Sequence, residues 1–157
     1  MPGCVNYALI LKMETRLANI SATNTFVMEK QRSLLESVTG KKVLVEGYTD
    51  LTMDGRKFSG NAQRRRLHAL LFHGSFLLDA DIALMEQVLK HPPKEPGYRN
   101  HRSHGAFLTN AGIDKKVLQQ GLRGVWEATQ DLASVPAEEV RQLVASRYAT
   151  KEWTSLH

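Results

Sequence analysis

A lysine followed by small and polar residues is the part of this sequence best suited to chemistry. The stretch from Asp50 to Ser75 reads DLTMDGRKFSGNAQRRRLHALLFHGS. Asp54 and Gly55 are typical of a type I′ hairpin turn, because both central residues of that turn need positive φ. Lys57 would then lie on the returning strand, followed by residues small enough for a ligand to approach the backbone. A lysine beside glycine and hydroxyl groups favours binding of a phosphate or a developing oxyanion.

Strand alternation predicts which side chains face such a site. Lys57 and Ser59 would share one face of the returning strand, and Arg56 and Phe58 would share the other. The predicted lining of the site beside the lysine is Ser59, Gly60, Asn61, Ala62 and Gln63.

Several other polar residues have two interpretations each. The segment from His73 to Ser75 lies in an apolar stretch, so it is either a core histidine with a bulge or part of a site. Asp50 either caps a turn or belongs to the site. No phosphate-binding loop, dinucleotide fingerprint or local nucleophile triad occurs in the sequence. A basic surface loop is favoured over a metal site for His101, Arg102 and His104.

A run of arginines closes the stretch, and the whole chain is basic. Five cations and no acid lie between Arg56 and Arg66, and the formal net charge is +5. The run is either a solvated basic face or a surface for an anionic partner, such as a nucleic acid, a nucleotide or an acidic protein. Nucleic acid is the least favoured of these, because no aromatic residues alternate with the arginines for base stacking.

Length and composition predict one globular domain. The chain has 157 residues, of which 42% are hydrophobic and 24% charged, which is ordinary for a single domain. Its single cysteine, Cys4, permits no internal disulfide. Neither a bilayer-spanning stretch nor a secretory signal is evident, so we expect no membrane partner and an intracellular location, cytoplasmic or, in a eukaryote, mitochondrial.

Periodicity predicts the elements that must position the site. The first strand has no element before it, so it is either an edge strand or part of a larger sheet. Residues 92 to 112 are rich in proline, glycine and basic residues, which predicts a loop. Because loops of this length are uncommon unless they are functional, we expect this one to have a function. Strands are predicted at 4–11, 42–46, 50–53, 57–59 and 68–78, with a break at Gly74, and helices at 24–38, after Asp79 or Asp81, at 114–130 and at 137–148.

Three segments together resemble the catalytic domain of the lipoate-protein ligase A family, within the biotin and lipoate ligase group. These segments are DLTMDGRKFSGNAQRRR, LLFHGSFLLDAD and YRNHRSHGAFLTN, and the flanking GCVNYALIL and RYATKEW are similar to family strands and to the end of the domain. The resemblance implies an α/β (α+β) fold with a mainly antiparallel sheet flanked by helices. It also implies a single, partial catalytic domain over residues 1–157 that lacks the first strands of the family and has no accessory domain.

The chemistry implied by this resemblance is a two-step acyl transfer. ATP, with Mg²⁺, activates lipoate or octanoate as an acyl-adenylate, and a lysine of a carrier domain then attacks the carbonyl. The carrier would be the lipoyl domain of a 2-oxoacid dehydrogenase or a glycine cleavage H protein. Lys57 matches the lysine of the family pattern K-x-SG-x-A, and its implied role is to stabilise negative charge in both transition states.

The same resemblance implies binding roles for the other matched positions. Asp50 matches the second residue of an Asn-Asp pair near the nucleotide and metal, although Thr49 stands where the family has asparagine. The adenylate pocket would be lined by Ser59, Gly60, Asn61, Ala62 and Gln63, with His73, Gly74 and Ser75 as its floor. Carrier docking is the implied role of Arg64, Arg65 and Arg66.

Two departures from the family pattern leave alternatives open. The family carries an arginine pair and a glycine run upstream of the segment that begins here at Pro2. Two alternatives to a complete ligase follow. In one, a partner chain supplies this part; in the other, the chain is a non-catalytic binding module. The octanoyltransferase branch uses a cysteine downstream of the motif lysine, whereas residues 58–157 contain none, which disfavours a thioester intermediate.

Overall fold

A five-stranded antiparallel sheet forms the centre of the computed structural model, which describes residues 2–155. Its strands are β1 (Cys4–Lys12), β2 (Leu44–Glu46), β3 (Asp50–Met53), β4 (Arg56–Arg65) and β5 (Ala69–Leu77). Their order in the sheet is β1-β5-β4-β3-β2, and every neighbouring pair is antiparallel. The predicted first strand is thus an edge strand, and β5 lies inside the sheet.

Helices flank this sheet, which confirms the predicted fold class. The chain forms two compact units, residues 1–127 and residues 128–157. The first unit contains the sheet, α1 (Ile20–Thr39), α2 (Ile82–Val88), α3 (His104–Phe107), α4 (Lys115–Val125) and two 3₁₀ turns at Thr15–Leu17 and Gly97–Arg99. The second contains α5 (Ala137–Leu143), a π-helical turn (Val144–Tyr148) and α6 (Lys151–Thr154). That residues 1–157 act as one domain stays a prediction.

Helix α1 is the longest element, and local sequence sets both of its ends. Its N-cap is Asn19, whose side chain accepts a hydrogen bond from the Ala22 amide at 2.8 Å, so the helix begins earlier than the predicted start at Asn24. Gly40 ends the helix with a φ of 64°, a left-handed conformation that glycine tolerates better than other residues. The buried side chains recur at helical spacing and are Thr23, Val27, Met28, Gln31, Leu34 and Leu35.

The core lies between α1, α4 and one face of the sheet. Phe58, Phe72 and Phe76 are fully buried there against Leu35 of α1 and Leu118 of α4. Gly121 allows the two helices to approach closely, because a Cβ at this position would lie 2.6 Å from Leu34 Cδ1. Close packing on this side leaves the other face of the sheet available for a site.

The other face of the sheet, called the open face below, is not covered by α1. Strand pairing places Gly60 opposite Ser75 and Ala62 opposite His73, with Ala8 of β1 next in line. Exposed side chains on this face include Asn6, Ala8, Ile10, Ala62, Arg64 and His73. Strand β5 runs through Gly74 without the predicted break.

The second unit contains short helical segments with aromatic contacts of their own. Tyr148 and Trp153 pack edge to face with ring centroids 5.0 Å apart, and the Arg147 guanidinium lies 4.6 Å from the Trp153 ring centroid. The segment 137–148, predicted as a helix, is helical throughout, although its last five residues form a π-helical turn. Within residues 2–155 no helix has both the length and the apolar character needed to cross a membrane.

Candidate functional site

The hairpin that carries Lys57 forms where the sequence predicts it. Asp54 and Gly55 adopt φ values of 51° and 69°, which the type I′ turn requires. After the turn, Lys57 pairs with Thr52, whereas Ser59 pairs with Leu51. Between these two pairs the chain moves by two residues along β4 and by one residue along β3, which is the geometry of a β-bulge.

This bulge changes which residues share a face with Lys57. Beyond it, Ser59 lies opposite Phe76 on the helix-covered side and is 1% exposed. Lys57 lies on the open face, because a Cβ at Gly60 would stand 3.0 Å from its Cε and Nζ atoms. The structure thus differs from the strict alternation predicted above, in which Lys57 and Ser59 share a face.

One carboxylate holds the Lys57 ammonium in place. Lys57 Nζ lies 2.8 Å from Asp50 Oδ1, and the Tyr98 hydroxyl donates to Asp50 Oδ2 at 2.8 Å. Side-chain exposure is 26% for Lys57 and 16% for Asp50, so solvent screens this ion pair only in part. Burial, together with the neighbouring Asp50 carboxylate, raises the pKa of the Tyr98 phenol far above its ordinary value, and Tyr98 therefore remains a hydrogen-bond donor.

A cleft lies on the open face, and Ser75, one of its lining residues, pairs with Gly60 of β4. It has a volume of about 580 Å³ and is lined by Asn6, Ala8, Leu71, His73 and Ser75, among others. Because Gly60 and Ser75 are paired across the strands, a ligand in this cleft can extend towards the lysine. His73 is exposed, and the hydroxyl of Ser75 donates to Asn6 Oδ1 at 2.5 Å.

A polar network lies directly beneath the site, on the helix-covered face. Asn61 Nδ2 donates to the Thr49 carbonyl, and Asn61 Oδ1 lies 2.5 Å from the Tyr7 hydroxyl. That hydroxyl is also 3.2 Å from Gln31 Oε1 of α1, and burial raises the pKa of Tyr7 above its ordinary value. A Cβ at Gly74 would stand 1.9 Å from Asn61 Oδ1. Gly74 is therefore the residue that makes room for this network.

The side chains of the predicted SGNAQ lining separate between the two faces. Gly60 and Ala62 lie on the open face, whereas Ser59 and Asn61 face the network beneath. Gln63 also points inwards, where its amide donates to the Ile20 carbonyl at 3.1 Å and to Asn24 Oδ1 at 2.6 Å. Direct contact with a ligand on the open face is therefore a proposal for Gly60 and Ala62 and does not extend to the other three side chains.

The three arginines at the end of β4 do not form one patch. Arg64 and Arg66 are exposed. The Arg65 guanidinium instead donates to the carbonyls of Leu17 and Ala18 at 2.6 and 3.1 Å and to Thr23 Oγ1 at 2.9 Å. Arg65 thus fixes the start of α1 to the sheet, which the charge run alone does not indicate.

The long basic loop is anchored by charge and stacking. Glu95 accepts from the His101 amide at 2.9 Å and lies 3.4 Å from the Arg99 guanidinium. Arg99 is 5% exposed, and its guanidinium lies 4.7 Å from the Phe107 ring centroid. No group of three or more His, Cys, Asp or Glu side chains suited to a metal occurs in the described residues. The interpretation of His101, Arg102 and His104 as a basic surface loop stays a prediction, and Arg102 donates to the Gly55 and Tyr98 carbonyls.

Sequence reasoning misses Tyr98 as a site residue. The residue lies in a loop 48 positions after Asp50, so no local spacing connects the two. Tyr98 is the first residue of YRNHRSHGAFLTN, one of the segments that resemble the family. That resemblance is the signal by which Tyr98 could have been proposed as a site residue. Tyr7 and Gln31 are missed for the same reason, because the contacts of Tyr7 with Gln31 and with Asn61 are both long-range.

Comparison with known proteins defines the family of this chain. The sequence model of the lipoyl protein ligase A/B catalytic domain matches residues 1–112. This match covers most of the chain, including the hairpin, the open-face strands and the basic loop. The protein therefore belongs to the lipoyl protein ligase A/B catalytic domain family.

Individual relatives carry two kinds of name. The chain is 29% identical over 117 residues to octanoyltransferase LipM of Brevibacillus brevis, an alignment that covers 66% of this chain and 42% of that protein. It is 27% identical over 129 residues to lipoate-protein ligase LplJ of Bacillus subtilis, covering 73% of this chain and 39% of that protein. The chain thus spans about two fifths of the length of these curated relatives.

Solved structures share the fold at low sequence identity. A bi-partite lipoate protein ligase from Thermoplasma acidophilum aligns with a TM-score of 0.70 at 19% identity, covering 97% of this chain and 64% of that one. A lipoate-protein ligase A bound with ATP gives a TM-score of 0.70 at 19% identity, covering 96% of this chain and 64% of that one. Biotin protein ligase from Aquifex aeolicus is more distant, with a TM-score of 0.54, 16% identity and coverage of 80% and 52%.

Proposed function

We propose that this protein transfers a lipoyl or octanoyl group to a lysine of a lipoyl carrier domain. The observation that carries the proposal is the Lys57 ammonium, held 2.8 Å from Asp50 on the open face beside a cleft of about 580 Å³. Family membership and relatives named as octanoyltransferases and a lipoate-protein ligase support the same chemistry.

Lys57 is the proposed catalytic residue. Acyl transfer builds negative charge on the acyl oxygen, and a fixed cation stabilises that charge more than it stabilises the ground state. Asp50 holds the ammonium at 2.8 Å, and Gly60, which has no side chain, lets the end of the lysine lie across it. The neutral acceptor amine then attacks the carbonyl, an amide bond forms, the leaving group departs with the electron pair of the broken acyl–oxygen bond, and the amine nitrogen releases one proton to solvent.

An acyl-adenylate is the proposed activated intermediate, formed when the acid's carboxylate oxygen bonds to the α-phosphorus of ATP and pyrophosphate leaves. A transfer route through a thioester on the enzyme would need a thiolate near Lys57, and residues 58–157 contain no cysteine. In this proposal the cleft beside Ser75 and His73 holds the activated acyl group. Lipoate and octanoate are both candidate acids, since either presents one carboxylate and an apolar chain.

Mg²⁺, implied by the use of ATP, finds no unoccupied carboxylate oxygen at Asp50. Asp50 is the carboxylate beside Lys57, and its two oxygens are already bound by Lys57 and Tyr98. Magnesium bound by proteins normally takes one or two carboxylate ligands with several waters. The proposed steps are therefore assigned to the side chains of this chain and do not pass through a metal ion.

The proposed partner is an acidic carrier, either a lipoyl domain of the 2-oxoacid dehydrogenase type or a glycine cleavage H protein. Exposed Arg64 lies near the end of β4, and exposed Arg66 directly follows the strand. Exposed cations increase the rate of encounter with an acidic partner. We assign the docking role to these two residues. Arg65 is left out because its guanidinium is engaged by α1.

A partner-dependent form of the same activity is the second candidate. The chain spans about two fifths of its curated relatives, and one solved structure of this fold is described as a bi-partite ligase with its E2 lipoyl domain. In this alternative a second polypeptide completes the pocket, and the present chain alone is a binding module.

Mass spectrometry of a carrier domain tests the proposal. The purified chain is incubated with an apo lipoyl domain and one of three acyl sources: octanoate with ATP, octanoyl-adenylate, or an octanoylated carrier. A mass gain of one octanoyl group from the first two sources supports the adenylate route, whereas a gain from the octanoylated carrier alone contradicts it. If none of the three sources acylates the domain, this chain is not a transferase by itself, and the partner-dependent form remains.

A further inference from the structure

The basic loop reaches the proposed catalytic lysine through a single carboxylate. Asp50 is bound on Oδ1 by the Lys57 ammonium and on Oδ2 by the Tyr98 hydroxyl, each at 2.8 Å. A carboxylate with both oxygens bound has no free rotation about its terminal bond. The direction in which Asp50 holds Lys57 therefore depends on Tyr98.

Tyr98 is itself firmly held. Its backbone carbonyl accepts a hydrogen bond from Arg102 Nη2 at 2.9 Å, and its ring packs on Phe107 with centroids 5.3 Å apart. The Arg102 guanidinium also lies 5.3 Å from the centroid of Phe107. Stacking and hydrogen bonding together give the tyrosine one orientation.

The same loop is tied to the backbone of the lysine hairpin. Arg102 Nη1 donates to the Gly55 carbonyl in the turn at 2.9 Å, and the Thr109 amide donates to the Lys57 carbonyl at 2.9 Å. From the hairpin side, Arg56 Nη2 donates to the Gly105 carbonyl at 2.9 Å. The loop and the hairpin thus form one connected unit around the lysine, and the Tyr98 hydroxyl is the contact that reaches its side chain through Asp50.

We propose that Tyr98 is a positioning residue, which orients Asp50 and through it holds the Lys57 ammonium over Gly60. This inference rests on the proposed function for its catalytic meaning, but the ordering of the lysine is a property of the chain alone. Tyr98 acts through Asp50 and does not contact Lys57 itself. Loss of its hydroxyl alone should release the lysine, because Phe keeps the ring contact with Phe107.

Side-chain relaxation of the lysine ammonium groups, measured by NMR on the full chain, tests this inference directly. In the parent protein, Lys57 should be ordered and exposed Lys94 mobile. In Tyr98→Phe the order parameter of the Lys57 ammonium should fall below about 0.6, the range of flexible groups. Tyr48→Phe is the matched control, because Tyr48 lies near the same loop but is 88% exposed; the Lys57 signal should not change in it.

A general loosening of the fold would give a different result. It would lower the order of many residues and the midpoint of thermal unfolding, whereas a positioning role lowers the order of Lys57 with the midpoint close to that of the parent. If Lys57 remains ordered in Tyr98→Phe, or if all lysines lose order together, the inference is overturned.

Carrier acylation gives a second, separate readout. Tyr98→Phe should reduce kcat about 10-fold, the effect of losing one hydrogen bond to a charged group, with the KM for the carrier unchanged. A change in KM with kcat intact would contradict positioning of the catalytic lysine. If the parent chain shows no transfer but the NMR result is as expected, the proposed function fails while the positioning of Lys57 by Tyr98 stands.

Discussion

The ammonium of Lys57 and the carboxylate of Asp50 lie 2.8 Å apart on neighbouring strands. This pair exists because the β-bulge after the Asp54-Gly55 turn brings Lys57 to the open face, where Gly60 has no side chain to block it. A cation held in one place and only partly exposed is suited to stabilising an oxyanion.

Asp50→Asn should slow acyl transfer about 10-fold, because a neutral amide holds an ammonium group less strongly than a carboxylate does. Single-turnover transfer from octanoyl-adenylate to a lipoyl domain measures the effect. Asp54→Asn, in the exposed turn of the same hairpin, is the matched control and should keep the parent rate. An Asp50→Asn variant as fast as the parent would show that the ion pair does not position the lysine.

Gly60→Ala should reduce transfer with little loss of stability. The added Cβ would stand 3.0 Å from Lys57 Cε and Nζ, and the flexible end of the lysine can move away. Stability should therefore stay within about 0.5 kcal/mol of the parent, while the ammonium is displaced from its place over Gly60. Chemical denaturation and the transfer assay, performed on the same sample, separate the two effects; an unchanged rate would count against the site.

Gly74→Ala should instead destabilise the fold by about 2 kcal/mol or more, through overpacking in a rigid environment. Its Cβ would stand 1.9 Å from Asn61 Oδ1 and 2.7 Å from the Gly60 carbonyl oxygen, and the latter is backbone that cannot move aside. Gly124→Ala in α4 is the control, because nothing lies within 4 Å of its added Cβ. Urea denaturation should show a lower midpoint for the first variant alone.

The arginines should separate into a structural and a docking group. Arg65→Gln should lower stability by about 1 to 3 kcal/mol, since the carbonyls at the start of α1 lose a charged donor. The double change of Arg64 and Arg66 to Gln should leave stability unchanged and weaken carrier binding, most strongly at low salt. Calorimetric titration with an acidic lipoyl domain checks the second effect, and equal binding at low salt would remove the docking role.

Two tyrosines should make the fold sensitive to alkali. The pKa values of Tyr7 and Tyr98 are raised above the ordinary value of 10.0, in both cases mainly by burial. Between pH 10 and the raised values the folded chain keeps protons that the unfolded chain releases, so the free energy of unfolding should fall as pH rises above about 10. Tyr7→Phe should make this fall shallower. In an absorbance titration at alkaline pH, Tyr7→Phe should remove a phenol that ionises above pH 10 in the parent.

Sequence alone predicts the parts of this fold that local chemistry determines. The Asp54-Gly55 turn follows from residues that tolerate positive φ, and it is confirmed. The start of α1 was predicted too late, because Asn19, Asn24 and Thr25 are all suitable caps and packing decides among them. Lys57 at the hairpin was singled out from its neighbours alone.

Features that depend on contacts between residues far apart in the sequence cannot be predicted from local sequence patterns. The bulge opposite Leu51 and Thr52 shifts the register of β4, and strict alternation therefore places Ser59 on the wrong side. The sequence shows Arg65 only as part of a charge run, whereas the structure shows its guanidinium bound to the Leu17 carbonyl just before α1. Tyr98 joins the site because the loop folds back onto the hairpin, and the spacing between Tyr98 and Asp50 in the sequence does not indicate that contact.

Single-turnover transfer by the Lys57→Ala variant tests the central claim most directly. With preformed octanoyl-adenylate and an apo lipoyl domain, the first-order rate should fall at least ~100-fold, the loss expected when one preorganised oxyanion donor is removed. Lys57→Arg keeps the charge and should retain more of the rate, and Lys94→Ala on the neighbouring loop should equal the parent. A Lys57→Ala variant that is folded and acylates the carrier at the parent rate would contradict the assignment of Lys57 as the catalytic residue.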